Sequence, residues 1–260
     1  MSLATQDIFS LKGNVALVTG ASGVLGSQFA RALSRAGAKV VLAARRIENM
    51  TGLAQSIREE GGIASVVRLD VVEKSSIEKC FDLCESEMQG PVDIVVNNSG
   101  LATPSTLLEQ NESDWDSVFG VNLTGAMLVA KEASKRLIKS EHTGSIINIA
   151  SILGLRQGTG VSAYAASKAA LIQLTKQQAL EWARHGIRVN AIAPGYIETD
   201  LNREFFASDQ GKALVKRIPM RRLGDQSELD GALLLLASSA GKFMTGSVLT
   251  VDGGHLVSGL

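Results

Sequence analysis

The sequence predicts a doubly wound α/β fold, in which helices cover both faces of a seven-stranded parallel sheet. Seven short apolar runs, rich in Val and Ile, alternate along the chain with longer amphipathic segments. The runs lack a strict polar alternation, which is typical of strands buried on both faces of a parallel sheet. Strands and helices that alternate in this way form βαβ units. The 260 residues contain no linker, repeat or change of composition, so we expect one domain over residues 1–260.

Each predicted element follows from the spacing of its apolar residues. A continuous apolar run predicts a buried strand, and apolar residues three and four positions apart predict a helix face. The predicted strands are residues 14–19, 39–44, 64–69, 92–97, 145–150, 188–193 and 247–251. The predicted helices are residues 24–36, 47–60, 74–88, 113–139, 162–184 and 226–238. Gly37 and Gly61 follow the first two helices, where glycine commonly ends a helix.

Residues 201–223 interrupt this alternation. The segment is polar and charged, contains Phe205 and Phe206, and follows the sixth predicted strand. Irregular segments at the carboxyl ends of strands often close over a substrate, so we predict a substrate lid. An ordinary pair of surface helices is the alternative.

Charge and hydropathy limit the partners. Lys and Arg together number 26, as do Asp and Glu, so the chain lacks the positive excess of a non-specific nucleic-acid binder. No run approaches the roughly 18 apolar residues of a membrane span. Residues 1–13 lack the basic and apolar regions of a secretory signal. We therefore expect a cytoplasmic protein with no nucleic-acid or membrane partner.

The stretch VTGASGVLG, residues 18–26, is a candidate phosphate-binding loop. Such a loop needs a sharp turn after a strand, backbone N–H groups facing the anion, and a helix N-terminus. Gly20 can supply the turn, Gly26 allows the helix to approach the strand, and Gly23 keeps the loop flexible. Val24 departs from the glycine-rich pattern. We expect its β-branched side chain to crowd a bound cofactor and weaken binding.

Tyr164 and Lys168 form a candidate proton-transfer pair. They are four residues apart on a predicted helix and therefore share a face. An ammonium beside a phenol favours the phenolate and lowers the tyrosine pKa from about 10. Proton transfer near neutral pH would then become efficient. The pattern alone is also common as a surface pair, so other residues must decide.

Ser151 and Asn122 supply that context. Ser151 ends the fifth predicted strand, where the carboxyl edge of a parallel sheet opens a crevice. Its hydroxyl can hydrogen-bond a substrate oxygen. Asn122 lies inside the predicted helix 113–139, where Asn is unfavourable and indicates a kink or a water site. An exposed amide is the alternative for Asn122.

Together these positions resemble the short-chain dehydrogenase/reductase family, in its compact single-domain branch. Ser151 precedes Tyr164 by 13 residues, which is the spacing usual in that family. The matching motifs are Thr19-Gly20…Gly26, Asp70, Asn97-Asn98-Ser99-Gly100, Asn122, Ser151, Tyr164…Lys168, Pro194-Gly195…Thr199 and Asp252-Gly253-Gly254. The resemblance implies a Rossmann fold. Ser99 in place of Ala and Val24 in place of Gly are the departures.

The resemblance also implies roles for the catalytic residues. Tyr164 would be the general acid in ketone reduction and the base in alcohol oxidation, and Lys168 would lower its pKa and bind the nicotinamide ribose. Ser151 would orient the carbonyl, and Asn122 would hold a water. The implied cofactor contacts are Gly20, Ser22, Gly23, Val24, Leu25, Arg45, Arg46, Asp70, Val71, Asn97, Ser99, Gly100, Tyr164, Lys168, Pro194, Gly195, Ile197 and Thr199. The expected substrate contacts are Ser151, Ile152, Leu153, Gln157, Tyr164 and Tyr196.

The end of the second strand predicts NADP(H) rather than NAD(H). An NAD enzyme is expected to place an acid there for the ribose 2′-hydroxyl, but Ala44 occupies that position and no acid follows before Glu48. Arg45 and Arg46 come next, and a guanidinium suits a 2′-phosphate in charge and geometry. Ser22 can add a hydroxyl donor. Two arginines on a solvated helix start are the alternative.

The predicted reaction is hydride transfer between NADP(H) and a ketone or secondary alcohol. The resemblance is closest to general carbonyl, gluconate-type sugar-acid and 3-oxoacyl thioester reductases, and the choice stays open. Ile152 and Leu153 favour apolar ketones, whereas Arg217, Arg221 and Arg222 favour an anionic substrate or an interface. A nucleotide-binding protein that has lost turnover and a dehydratase or epimerase are the rival functions.

The family resemblance also implies a homotetramer. One interface would use the helices at residues 113–139 and 162–184, and residues 256–260 would form another.

Overall fold

The computed structural model describes residues 8–199 and 202–258, and the strands in this part of the chain form one parallel sheet. The strands are β1 Val15–Thr19, β2 Lys39–Ala44, β3 Ile63–Arg68, β4 Ile94–Asn97, β5 Gly144–Ile149, β6 Ile187–Pro194 and β7 Val248–Val251. Their order in the sheet is β3-β2-β1-β4-β5-β6-β7, and every neighbouring pair is parallel. The predicted doubly wound fold is confirmed. Leu201 of the predicted lid and residues 259–260 of the predicted tail lie outside the described residues.

Helices cover both faces of the sheet. They are α1 Val24–Arg35, α2 Glu48–Glu59, α3 Lys74–Met88, α4 Glu112–Phe119, α5 Ala126–Lys139, α6 Ser162–Trp182, α7 Arg203–Ala207, α8 Asp209–Val215 and α9 Asp230–Ala237. Side chains alternate along a strand, so Ala16 and Val18 of β1 belong to one core and Val15 and Leu17 to the other. Because helices cover both cores, the strands need no polar face.

The direction of winding reverses between β1 and β4, and a crevice opens there at the carboxyl ends of the strands. Thr19 joins the two strands at this point: its hydroxyl accepts from the backbone N–H groups of Asn98 and Ser99, each at 3.0 Å. The Asn98 amide donates in return to the carbonyls of Thr19 and Gly20, at 3.0 and 3.2 Å. These bonds hold the glycine loop against the end of β4.

The predicted helix 113–139 is interrupted, as the position of Asn122 suggested. A π-helical turn over Gly120–Gly125 separates α4 from α5. A Cβ on Gly125 would lie 2.7 Å from Cγ2 of Val71, so the turn packs too closely on the neighbouring loop for a larger residue. Asn122 is 1% exposed, which excludes the exposed-amide alternative. Such π-turns are frequent at functional sites.

The segment predicted as a lid contains a pair of short helices, α7 and α8, which matches the alternative description. It nevertheless touches the crevice, because Phe206 packs edge-on against Tyr196 with ring centroids 5.7 Å apart. Closure over a substrate stays a prediction. In the part of the chain that the structure describes, no helix is long and apolar enough to cross a membrane.

Candidate active site

Two adjoining cavities form a cleft at the carboxyl edge of the sheet. They share Leu25, Asn98, Gly100 and Leu101. The first encloses about 400 Å³ and is lined by these predicted cofactor residues: Gly20, Ser22, Gly23, Leu25, Arg45, Arg46, Asp70, Val71, Ser99 and Gly100. The second encloses about 340 Å³ and is lined by these predicted residues: Leu25, Gly100, Ser151, Tyr164, Lys168, Pro194, Gly195, Tyr196, Ile197 and Thr199.

The glycine loop brings the N-terminus of α1 to the first cavity. Gly20 has a φ of +63°, and a Cβ on Gly26 would lie 2.3 Å from the Gly20 carbonyl oxygen, so the backbone geometry requires both glycines. Gly23 is the residue before α1, and among the described residues no side chain caps this helix end. The N–H groups of the first turn are therefore available to an anion in the cleft. This local structure fits a dinucleotide phosphate.

Tyr164 and Ser151 meet in the second cavity. Burial raises the pKa of Tyr164, and a hydrogen bond with Ser151 opposes that rise. The phenol is therefore protonated at neutral pH and can donate a proton to a bound oxygen. The expected lowering of this pKa by Lys168 is not what the structure shows, because desolvation of the phenolate dominates. The Ser151 hydroxyl also accepts from the backbone N–H of Leu153 at 3.1 Å, which fixes its position.

Lys168 is buried behind the phenol. Its ammonium lies 5.6 Å from the centroid of the Tyr164 ring and donates to the Ile149 carbonyl at 2.7 Å. Burial lowers its pKa to about 8. Among the described residues this carbonyl is the ammonium's hydrogen-bond partner, so Lys168 retains donors for a further partner in the cleft.

Asn122 is fixed by three hydrogen bonds. Its Oδ1 accepts from the Leu101 N–H at 2.7 Å, and its Nδ2 donates to the Leu101 carbonyl at 2.9 Å and to Ser167 Oγ at 3.0 Å. The Ser167 hydroxyl donates to the Tyr164 carbonyl at 2.7 Å. The side chain thus ties the π-turn to the loop after β4 and to α6.

Comparison with known proteins identifies the family. A family sequence model described as Enoyl-(Acyl carrier protein) reductase matches residues 20–255. The chain is 37% identical to gluconate 5-dehydrogenase of Gluconobacter oxydans over 98% of this chain and 100% of that protein. It also matches the structure of a short-chain type dehydrogenase/reductase from Mycobacterium marinum, with 36% identity, a TM-score of 0.92, and coverage of 97% and 99% of the two chains. The chain belongs to the short-chain dehydrogenase/reductase family of oxidoreductases.

A second similar structure contains bound ligands. This is the gluconate 5-dehydrogenase of Burkholderia cenocepacia J2315 in complex with NADP and tartrate. It is 37% identical to this chain, with a TM-score of 0.93, and the match covers 98% of this chain and all of that one.

Arg45 and Arg46 are the exposed cations of the first cavity in this member of the family. Neither forms an ion pair with any described residue. Their donors are therefore available to a phosphate. Asp70 lines the same cavity and accepts from the backbone N–H of Val72 at 3.3 Å.

Six of the predicted residues do not line the two cavities of the cleft: Val24, Asn97, Asn122, Ile152, Leu153 and Gln157. Asn97 is 4% exposed and donates to Asn148 Oδ1 at 2.9 Å, so it supports the cleft from below while Asn98 lines it. Val24 lines a neighbouring cavity with Thr199, Arg222 and Leu223, and Thr199 also lines the second cavity of the cleft.

Leu101 and Ala102 line the substrate side, where Ile152 and Leu153 were expected. Ile152 is 1% exposed and packs into the core instead. The position of Leu101 and Ala102, directly after the Asn-Asn-Ser-Gly motif at the end of β4, is the signal that could have found them. Ser167 was also missed, although it lies beside Lys168 in the catalytic motif.

Proposed function

We propose that this oxidoreductase transfers a hydride between NADP(H) and a ketone or secondary alcohol of a hydroxy acid. The observation that carries the proposal is the convergence of Ser151, Tyr164 and Lys168 on a cavity that adjoins the cavity of the glycine loop. The proposal includes a single catalytic domain over the whole chain.

NADP(H) fits the residues of the groove. The N-terminus of α1 and the loop at Gly20 would hold the pyrophosphate, and Arg45 and Arg46 would hold the 2′-phosphate. Lys168 and Thr199 would meet the nicotinamide end, and Asp70 would meet the adenine end. When bound, the cofactor supplies or accepts the hydride.

The protein residues would manage the proton and the position of the substrate. Tyr164 donates its proton to the carbonyl oxygen in reduction and accepts the alcohol proton in oxidation. Ser151 holds the same oxygen by a hydrogen bond, which fixes the carbonyl in the cavity. The hydrogen bonds of Asn122 and Ser167 connect the π-turn to α6, and this connection keeps the phenol in place.

The hydroxy-acid substrate class rests on the gluconate dehydrogenases found among the full-length relatives. A 3-oxoacyl thioester is the second candidate. It is favoured by the apolar side chains that share the cavity, Leu25, Leu101 and Ile197, which suit an acyl chain better than a polyol.

Initial rates of NADPH oxidation test the proposal. We expect turnover of keto derivatives of sugar acids, and a loss of at least about 1,000-fold in kcat for Tyr164→Phe, because the phenol supplies the proton. Greater turnover of acetoacetyl thioesters would favour the second candidate. Tight NADPH binding without oxidation by any ketone would favour a nucleotide-binding protein. Conversion of a substrate without NADPH consumption would favour a dehydratase or epimerase.

We also propose a cytoplasmic homotetramer whose partners are small molecules and not nucleic acid. Leu180 on α6 and Phe243 before β7 are large apolar side chains at the surface, 77% and 102% exposed. An interface between subunits would remove such side chains from water. The molar mass in solution checks the assembly, and a monomer would contradict it.

A further inference from the structure

Asn202 stands at the N-cap position of α7, yet its side chain does not cap that helix. An asparagine at this position usually accepts a hydrogen bond from one of the first N–H groups of its own helix. Asn111 does so for α4, where its side chain accepts from the Asp114 N–H at 2.7 Å. The polar atoms of the Asn202 side chain therefore serve another purpose.

The Asn202 amide bonds the loop after β6 instead. Its Oδ1 accepts from the Thr199 backbone N–H, and its Nδ2 donates to the Ile197 carbonyl, each at 2.8 Å. The Thr199 carbonyl in turn accepts from the backbone N–H groups of Asn202 and Arg203, both at 3.1 Å. Both backbone polar groups of Thr199 are thereby engaged, and the loop is held in one conformation.

The Thr199 side chain is left for the cleft. Thr199 and Asn202 line the second cavity together with Tyr164 and Lys168. Within residues 8–199 and 202–258, the Thr199 hydroxyl has no hydrogen-bond partner, although its backbone is fully bonded. A threonine hydroxyl can both donate and accept. It is therefore available to a polar group of a molecule bound in this cavity.

We infer that Asn202 is a positioning residue for the nicotinamide end of the cofactor. By holding the Thr199 backbone, it keeps the Thr199 hydroxyl in the cavity, where that hydroxyl serves the carboxamide of the nicotinamide. This role rests on the proposed NADP(H) function, in which Thr199 meets the nicotinamide end, and it identifies the residue that keeps Thr199 in place.

Two ligands that differ in the nicotinamide test this role. They are NADPH and 2′-phospho-ADP-ribose, which carries the same adenine and phosphates but no nicotinamide. The readout is the ratio of their Kd values, measured by isothermal titration calorimetry. We expect Asn202→Ala to weaken NADPH binding about tenfold and to change the Kd of 2′-phospho-ADP-ribose less than about twofold, because one hydrogen bond to the carboxamide is lost. Asn202→Ser keeps an acceptor for the Thr199 N–H and should recover part of the loss.

A double-mutant cycle shows whether Asn202 acts through Thr199. Thr199→Val removes the hydroxyl and should reproduce the selective loss of NADPH affinity. Adding Asn202→Ala to Thr199→Val should weaken NADPH binding by less than about twofold further, because the hydroxyl that Asn202 positions is already absent. Additive losses in the double variant would overturn the role.

Asn111→Ala is the matched control for a structural effect. This substitution removes the cap of α4 and so costs stability, but Asn111 lies outside both cavities of the cleft. The ratio of the two Kd values should therefore stay unchanged. A selective loss of NADPH affinity in this variant would mean that the ratio follows stability, and would overturn the role of Asn202.

The remaining outcomes separate this role from the proposed function. If Asn202→Ala weakens both ligands equally, or if the unaltered protein binds both ligands equally, the role of Asn202 is overturned while the NADP(H) function stands. If the unaltered protein binds neither ligand, the proposed cofactor fails and the role of Asn202 fails with it.

Discussion

The Ser167 hydroxyl accepts a hydrogen bond from the Asn122 amide at 3.0 Å, and so joins the π-turn to the helix that carries the catalytic phenol. The same hydroxyl donates to the Tyr164 carbonyl at 2.7 Å. Ser167 is fully buried, so water cannot replace these bonds. The geometry makes Ser167 a positioning residue for both neighbours.

Ser167→Ala should therefore lower kcat about 3- to 10-fold and leave the Kd for NADPH unchanged, because the phenol shifts but the groove does not. Stability should fall by about 1–2 kcal/mol, since the Asn122 amide loses one of its two acceptors. Steady-state kinetics, NADPH titration and denaturant unfolding measure the three effects. An unchanged kcat together with the stability loss would reduce Ser167 to a structural role.

Lys168 makes folding depend on pH. Burial lowers the pKa of Lys168 from 10.5 to about 8. Its amine is therefore harder to protonate in the folded state than in the unfolded state. Below pH 8 this mismatch destabilises the fold by about 3 kcal/mol, at 1.36 kcal/mol per pKa unit. The cost disappears as pH rises from about 8 towards 10.5.

Lys168→Met should abolish that part of the pH dependence. Without bound cofactor, we expect the variant to gain stability relative to the unaltered protein at pH 7 and to lose the advantage near pH 10. Urea unfolding at both pH values and one protein concentration gives the comparison, with the exposed Lys176→Met as the matched control. Equal stability differences at the two pH values would show that Lys168 is not desolvated as the structure indicates.

The sheet was predictable because parallel strands buried on both faces need continuous apolar runs. Lys39–Ala44 has the predicted bounds, and Gly144–Ile149 differs by one residue at each end. The convergence of Ser151 with Tyr164 was also predictable, since a strand end and a spacing locate both residues. The predictions that failed concern how deeply a side chain is buried and which way it points. Ile152 is buried in the core, and burial raises the pKa of the Tyr164 phenol; a linear pattern shows neither.

Arg45 and Arg46 should decide the choice of cofactor. Arg45→Ala combined with Arg46→Ala should raise the KM for NADPH by about 10- to 100-fold with little effect on NADH, because only NADPH carries the 2′-phosphate. Arg184→Ala, an exposed arginine outside the cleft, is the control. A native preference for NADH, or equal losses with both cofactors, would contradict the assignment.

The sequence pattern and the structure predict different effects of substituting Val24. The pattern predicts that Val24→Gly tightens NADPH binding about tenfold, by relieving crowding. The structure instead places Val24 on the cavity beside Thr199 and Arg222, outside the two cavities of the cleft. We therefore expect the Kd for NADPH to change less than about threefold, with a loss of roughly 0.5 kcal/mol in stability from glycine in the first turn of α1.

Gly26→Ala gives the contrasting case for the same loop. Its added Cβ would lie 2.3 Å from the Gly20 carbonyl and 2.7 Å from the Asn98 amide nitrogen, so the loop must move and NADPH binding should be lost. Isothermal titration calorimetry of both variants with NADPH distinguishes crowding of the cofactor by Val24 from a position of Val24 outside the cofactor groove. A tenfold gain for Val24→Gly would restore the crowding argument, because the valine would then obstruct the bound cofactor despite facing the other cavity.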